Sequence, residues 1–443
     1  MHFHLSSQFL CGLENSGLFG VTFKEWIIWL KSLPWAFRWF PLLVVFRPVV
    51  DNLYFLKEVS PLLSPPYIVG VLTPLACILA FIKFRFPKPS NADKAFLYWS
   101  LAVLFSTLML LFYDPFSLLS IEFVLKLSMP VYIYFFLRLF ITDIRDLHGI
   151  LQSFLYAGIF VALLLFYEIL VNPIRIEESR GMERIQGNFG DVMSYGMFIT
   201  FALIAASYFY FARQHIVSQR KRLLLLLVVL MVALPGLANI HHTASYTVFI
   251  LLLALFLLFN FRSKNTSLAM SILFVGGLFI AFWGPQFIDE QITPLVETDL
   301  QVYSGAQDSD RLLHGRVGRW RMMLTKFSAE SVPVQFFGYP LKFDYVYQFI
   351  GIGSHNDFVR MLFCTGIVGL FLYVFMLVRF WMRRMFLGIA QRYLLVSTFV
   401  ALLFYSISVT PTFYAPFMYF VLAVFAYASL PGDKLTKWIN REY

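Results

Sequence analysis

His355 and Asn356 follow Gly353-Ser354 and open the apolar run Phe358 to Val378. Imidazole is the side chain whose ordinary pKa lets it accept a proton near neutral pH, so His355 is a candidate general base. Asparagine is a preferred helix N-cap, so Asn356 either caps the helix that follows or supports the histidine and its substrate. Two groups of arginines stand upstream: Arg175, Arg180 and Arg184 in one segment, and Arg311, Arg316, Arg319 and Arg321 in another, with lysine scarce beside them. Guanidinium groups grip phosphate bidentately and keep their charge at any physiological pH, whereas an ammonium acts as a point charge. A base accompanied by arginines is an arrangement for a polar, anionic substrate. The structural alternative for any one arginine is a headgroup contact or an ion pair with Glu177, Glu178, Glu183, Asp308 or Asp310. His241-His242 is a weaker signal. Neighbouring positions on a helix point in different directions and no carboxylate accompanies them, so polar contact at the end of a span is preferred over a metal site. No P-loop, dinucleotide fingerprint, nucleophile elbow or HExxH is present, and no metal or other cofactor is expected.

The elements that must position these residues are membrane helices. The chain has 443 residues, is 59% hydrophobic and 19% aromatic, and carries only 14% charged residues. So little polar surface cannot cover a water-soluble protein of this size, and the class is an all-α, polytopic membrane protein. The net charge of +10 is then a matter of topology rather than of nucleic-acid binding. Three cysteines, Cys11, Cys77 and Cys364, support neither a disulfide framework nor a zinc site. Met1 to Gly20 lacks the basic and apolar regions of a cleaved signal peptide.

Apolar runs of roughly 16 to 25 residues, near the length that crosses the hydrocarbon core, begin near Tyr67, Phe96, Ser120, His148, Phe189, Leu223, Ala244, Ser267, Phe358, Tyr393 and Phe413. A weaker run, Trp35 to Val50, holds two arginines and two prolines, and is either a tilted first span or an interfacial helix. About 12 spans are therefore expected. Alternate loops are basic, among them those carrying Lys83/Arg85, Arg138/Arg145, Arg220/Lys221, Arg262/Lys264, Arg383/Arg392 and Lys434/Lys437. The positive-inside rule puts these in the cytoplasm. Residues 51–66, 172–188, 240–243 and the long insert 284–354 are then external, and the whole chain is one membrane domain with an external loop. In that insert Asp299 to Asp310 reads as polar and turn-rich. Leu312 to Phe327 has helical spacing, which puts Arg316 and Arg319 on one face. Ser331 to Pro340 reads as a turn.

Four features in order resemble a known family: Arg184-Ile-Gln-Gly187-Asn188 before a span, Gly315-Arg316-x-x-x-Trp320, Pro333 with Gly338, and His355-Asn356 before a helix with Gly366 and Gly369. The set resembles the O-antigen ligases and polymerases, membrane glycosyltransferases acting on polyprenyl-diphosphate-linked glycans. The resemblance implies a C-type, inverting, metal-independent transfer at the outer face of a bacterial inner membrane, facing the periplasm. The donor would be an undecaprenyl-diphosphate-linked oligosaccharide. The acceptor would be a glycan or lipid A-core, with membrane lipids, and chain-length regulators or flippases, as further partners. Arg184 and Arg316 would hold the diphosphate and His355 would serve the acceptor hydroxyl. Arg180, Arg319, Asn356, His241 and His242 would complete the substrate site. Many members carry an arginine beside a serine where this chain has His242-Thr-Ala-Ser245; His241 or His242 would stand in for it. Polymerisation of repeat units is the first reading and ligation to lipid A-core the alternative. A lipid-glycan flippase is the reading from another class, although transporters favour ionisable sites at the midplane, and here only Lys126 and Glu168 were expected within spans.

Overall fold

The computed structural model describes residues 23–60, 63–113, 118–171, 176–179, 182–187, 189, 193–212, 219–263, 266–289, 293–338 and 354–431. They form helices α1 (Phe23–Ser32), α2 (Trp35–Asn52), α3 (Leu56–Val59), α4 (Pro65–Lys83), α5 (Asn91–Tyr113), α6 (Leu118–Phe140) and α7 (Ile144–Leu170), then α8 (Met193–Ala212), α9 (Gln219–Ile240), α10 (Thr243–Arg262) and α11 (Thr266–Phe287). The insert adds α12 (Thr293–Tyr303), α13 (Leu312–Ser328) and α14 (Val332–Phe337), and the chain continues with α15 (Asp357–Met382), α16 (Ile389–Ser408) and α17 (Ala415–Ala428). Every apolar run read from the sequence is a helix. Among the described residues six helices are long and apolar enough to cross a membrane: Pro65–Lys83, Ile144–Leu170, Met193–Ala212, Thr243–Arg262, Asp357–Phe386 and Ile389–Ser408. The architecture is that of an all-α membrane protein.

Burial follows sequence. α8 carries no charge and is apolar all round, so it takes the centre, packed by α7, α9, α10, α16 and α17. α4 is its opposite: Thr73, Cys77 and Ala80 are buried, while Ile68, Val71, Leu72, Leu75, Ile78, Leu79 and Ile82 are exposed. Exposed apolar side chains also run along α5, α7 and α15. So much contiguous apolar surface is expected where lipid is the solvent.

Hydrogen bonds align the helix ends. At one end Arg138, near the close of α6, meets Asp93 at the start of α5 through Nε–Oδ1 at 2.7 Å and Nη2–Oδ2 at 3.1 Å. Tyr134 joins Asp93 at 2.6 Å and Ser429, just past α17, at 2.8 Å. Arg383 donates to the Ala428 and Leu430 carbonyls, and Arg392 to that of Leu387. At the other end lie the C-terminus of α7, the N-terminus of α8, the α9–α10 turn, the N-terminus of α15 and the α16–α17 connection.

The weak run Trp35 to Val50 is a helix, as both readings of it require; it packs on α4 and α7, and its Arg47 forms a buried pair with Asp51 at 2.8 Å. Three readings of the sequence need revision. The helix before the insert continues past Gly284 to Phe287. Asp299 to Tyr303 belongs to α12, because Val296 and Leu300 recur at helical spacing; the turn is confined to residues 304–308, ahead of a short 3-10 helix at Ser309–Arg311. Within Ser331 to Gly338 lies a helix, Val332 to Phe337, rather than a turn, with Pro333 in its first turn and Gly338 ending it at φ +88°. Pro340 lies outside the described residues. An antiparallel hairpin, β1 (Ile176–Ser179) and β2 (Met182–Ile185), was not read from the sequence.

Candidate functional site

Arg184 is delivered by β2, whose register places it opposite Glu177. Three residues on, the chain turns sharply at Gly187 with φ +60°. A side chain there would be strained, and its Cβ would meet the Tyr195 hydroxyl and, at 3.0 and 3.2 Å, the Glu168 carboxylate. Glu168 is fully buried and accepts from Tyr195 at 2.9 Å. The Gly187 of the Arg-Ile-Gln-Gly motif is thus a close-approach glycine that sets where Arg184 stands.

Arg316 and Arg319 come from α13. Gly315 has φ +76° and Leu313 φ +51°, so the helix is distorted immediately before Arg316. Asp299 of α12 fixes that distortion by accepting from the Leu313 N–H at 2.6 Å. Trp320, one turn beyond Arg316, donates its indole N–H to the Ser354 carbonyl at 2.8 Å. This bond ties the arginine helix to the residue before His355.

The turn that carries His355 is pinned on both sides. Ser354 Oγ donates to the Asn356 carbonyl at 3.1 Å, and Asn356 Oδ1 accepts from the N–H groups of Phe358 and Val359 at 2.9 and 3.1 Å. Asn356 is therefore an N-cap, which commits its side-chain oxygen to the helix rather than to His355 or a sugar. Beneath it Asp357 is fully buried and paired with Arg360; its carboxylate also accepts from the Thr412 N–H at 3.0 Å and hydroxyl at 2.8 Å. The Arg360 guanidinium lies 3.3 Å from the Phe413 ring centroid. This network locks the start of α15 onto the α16–α17 connection. His355 itself has φ +46°, an uncommon conformation for a side-chain-bearing residue that the surrounding bonds must hold. His241 shares it at φ +41°.

These elements converge. Burial, and then the charges of Arg316 and Arg319, push the His355 imidazole below its ordinary value. Arg316 is lowered by burial and then by Arg319 and Arg184, against an opposing effect of Asp299. His241 is lowered by burial and by Arg184. Arg184, Arg316, Arg319, His241 and His355 thus form one electrostatic cluster, drawn from four segments far apart in sequence. His242 lies beside it and shares a 2.8 Å hydrogen bond with Ser245, whose hydroxyl is 3.2 Å from that of Tyr405. Arg180 falls outside the described residues. Arg321 is not in the cluster: it pairs with Asp310 at 2.5 Å, the structural role open to any single arginine.

Chemically the cluster is a half-buried concentration of positive charge around a histidine whose protonation is disfavoured by burial and by the neighbouring arginines. It can bind an anion and accept a proton beside it. Among the described residues no three of His, Cys, Asp and Glu group as metal ligands. The chain matches no protein-family model and no curated protein. The residues that sequence reading missed are positioning ones: Asp299, Tyr195 and the Asp357–Arg360–Thr412 network. Asp357 and Arg360, three apart at the head of an apolar run, were the available signal.

Proposed function

We propose that the chain is a bacterial inner-membrane glycosyltransferase that takes an undecaprenyl-diphosphate-linked glycan as donor, and that it polymerises repeat units of a surface polysaccharide. The observation that carries this reading is the convergence of Arg316 and Arg319 on His355, with Arg184 acting on Arg316, at one end of an apolar bundle. A leaving diphosphate gains negative charge as the glycosidic bond breaks, and arginines already aimed at it supply the stabilisation. A neutral imidazole beside them takes the proton of the attacking hydroxyl. In this reading the bundle has about 12 spans, the insert 284–354 is periplasmic, and the basic loops at the opposite end are cytoplasmic. The site then sits where a lipid tail stays in the bilayer while its sugars stay in water.

Ligation to lipid A-core shares the donor chemistry and is the second reading. Transport is disfavoured by the placement of the cluster at one end of the helices rather than between them at mid-depth. Reconstitution of the purified protein with a lipid-linked repeat unit, with and without lipid A-core, separates the three. A ladder of repeat lengths without lipid A-core supports polymerisation, and product only in its presence supports ligation. Movement of the intact lipid between leaflets with no new glycosidic bond would overturn the enzyme reading.

A further inference from the structure

A cavity of about 550 Å³ lies apart from the arginine cluster, among the first turns of α4 and α6, the end of α2 and the starts of α8 and α17. None of Arg184, Arg316, Arg319, His241 or His355 lines it. Its four charged groups cancel as two pairs: Arg47 with Asp51 at 2.8 Å, and Lys126 with Glu122 at 2.5 Å, the latter carboxylate also accepting from Tyr67. A lining without net charge offers an anion nothing, in contrast to the cluster next door.

The charged groups are confined to one end. Arg47 and Asp51 fall in the last turns of α2, and Glu122 and Lys126 in the first turns of α6, all at the end of the bundle that holds His355. From there the cavity follows α6 down to Tyr132. The eleven steps from Ile121 to Tyr132 rise about 17 Å at about 1.5 Å per residue, close to the ~15 Å hydrocarbon depth of one leaflet. The outer wall is formed by Ile68, Val71, Leu72 and Ile121, all exposed on the apolar surface of the bundle. The entrance therefore faces the bilayer rather than water.

We infer that this cavity is a binding site for one acyl chain of a two-chain membrane phospholipid, taken from the leaflet at the cluster end. The depth matches a single-leaflet chain, the internally neutralised lining suits hydrocarbon, and tyrosines at the polar end suit the interfacial level where a chain joins its headgroup. The inference does not depend on the glycosyl-transfer reading.

The probe is phosphatidylglycerol with a diazirine midway along one acyl chain, mixed into phosphatidylcholine vesicles holding the full chain. After irradiation, peptide mass spectrometry should find saturable adducts within residues 66–72 and 121–132. Gly70 lines the cavity and has no atom within 4 Å of a Cβ built on it, so Gly70→Trp should fill the space and fold. That variant should lose these adducts while adducts on the outward-facing Phe371 and Val374 persist. Where the tryptophan does not fold, Gly70→Leu with a count of phospholipids retained in native mass spectrometry gives the same decision: one fewer is expected. Unchanged adducts or an unchanged count in the filled variant would mean surface lipid only and would overturn the site. Labelling by a polyprenyl-phosphate diazirine but not by the acyl probe would overturn the choice of occupant.

Discussion

At one end of the bundle Arg138 is fixed on Asp93, Arg383 on the carbonyls of Ala428 and Leu430, and Arg392 on the carbonyl of Leu387. At the other, Arg316 and Arg319 stand beside each other and a histidine, and among the described residues no carboxylate forms an ion pair with either. The same residue type serves two purposes. Where guanidinium groups have fixed partners, they join helix ends and their desolvation is offset within the fold. Where Arg316 and Arg319 are gathered half-buried, with Asp299 opposing Arg316 among the described residues, the arrangement opposes its own assembly by like-charge repulsion. Such a cluster makes physical sense if its missing partner is an anionic ligand, since pre-aimed cations then need no reorganisation when the anion arrives. Arg360 shows that the difference is one of partners and not of location: it lies at the cluster end yet is paired with Asp357.

The contrast can be broken or sharpened at several strengths. The largest effect is expected at His355. His355→Ala should lower glycosyl transfer by about 10²–10⁴-fold, the usual contribution of a general base, with thermal stability and donor binding retained. Transfer at near-normal rate would remove the histidine from the chemistry. At the opposite end, Asp93→Ala should destabilise the fold by about 3–5 kcal/mol, because it strands the buried Arg138 charge. A melting shift measured in detergent tests this, and a variant as stable as the parent would show that the end is not locked as described.

A smaller loss separates the two kinds of arginine. Arg316→Lys keeps the charge but loses the bidentate fork, and transfer should fall by about tenfold or more, in line with about 1.5–3 kcal/mol for a hydrogen bond to a charged group. Arg321→Lys, at an exposed pair with Asp310, should leave transfer unchanged. Equal effects from the two would erase the distinction. The smallest effect concerns pH. His355 lies below its ordinary value of about 6.5 in the free protein, so the acid limb of kcat/KM should fall below that pH as the imidazole gains its proton. A bound diphosphate offsets Arg316 and Arg319 and raises the imidazole again, so the limb of kcat should lie at higher pH than that of kcat/KM. The reverse order would mean that the titrating group does not face the anion.

The sequence carried the helices well because each apolar run is long enough to be read from composition alone. It also carried the candidate side chains: Arg184, Arg316 and His355 stand out as polar residues beside apolar runs. What it concealed was local support. Nothing in Gly187 tells that it lies against Glu168 and Tyr195, because that approach joins the end of one helix to the start of the next across a hairpin. The hairpin was missed because its strands, Ile176–Ser179 and Met182–Ile185, are too short for alternation to show. The insert was read as turns where α12 and α14 are helical, since Asp299 and Pro333 look like breakers in isolation. Asp299 in fact accepts from the start of α13, and Pro333 sits in a first turn, where proline is tolerated. Asn356 carried two readings, and the structure shows the cap, which uses its side-chain oxygen.

The most direct test of the account is binding of inorganic diphosphate to the purified full chain, followed by titration calorimetry in detergent. The account predicts a single site that weakens on raising salt, is lost in Arg184→Ala and Arg316→Ala, and survives in Arg321→Ala and Arg392→Ala. Binding that persists in Arg184→Ala and Arg316→Ala, or that weakens equally in all four variants, would contradict the claim that these distant arginines form one anion site.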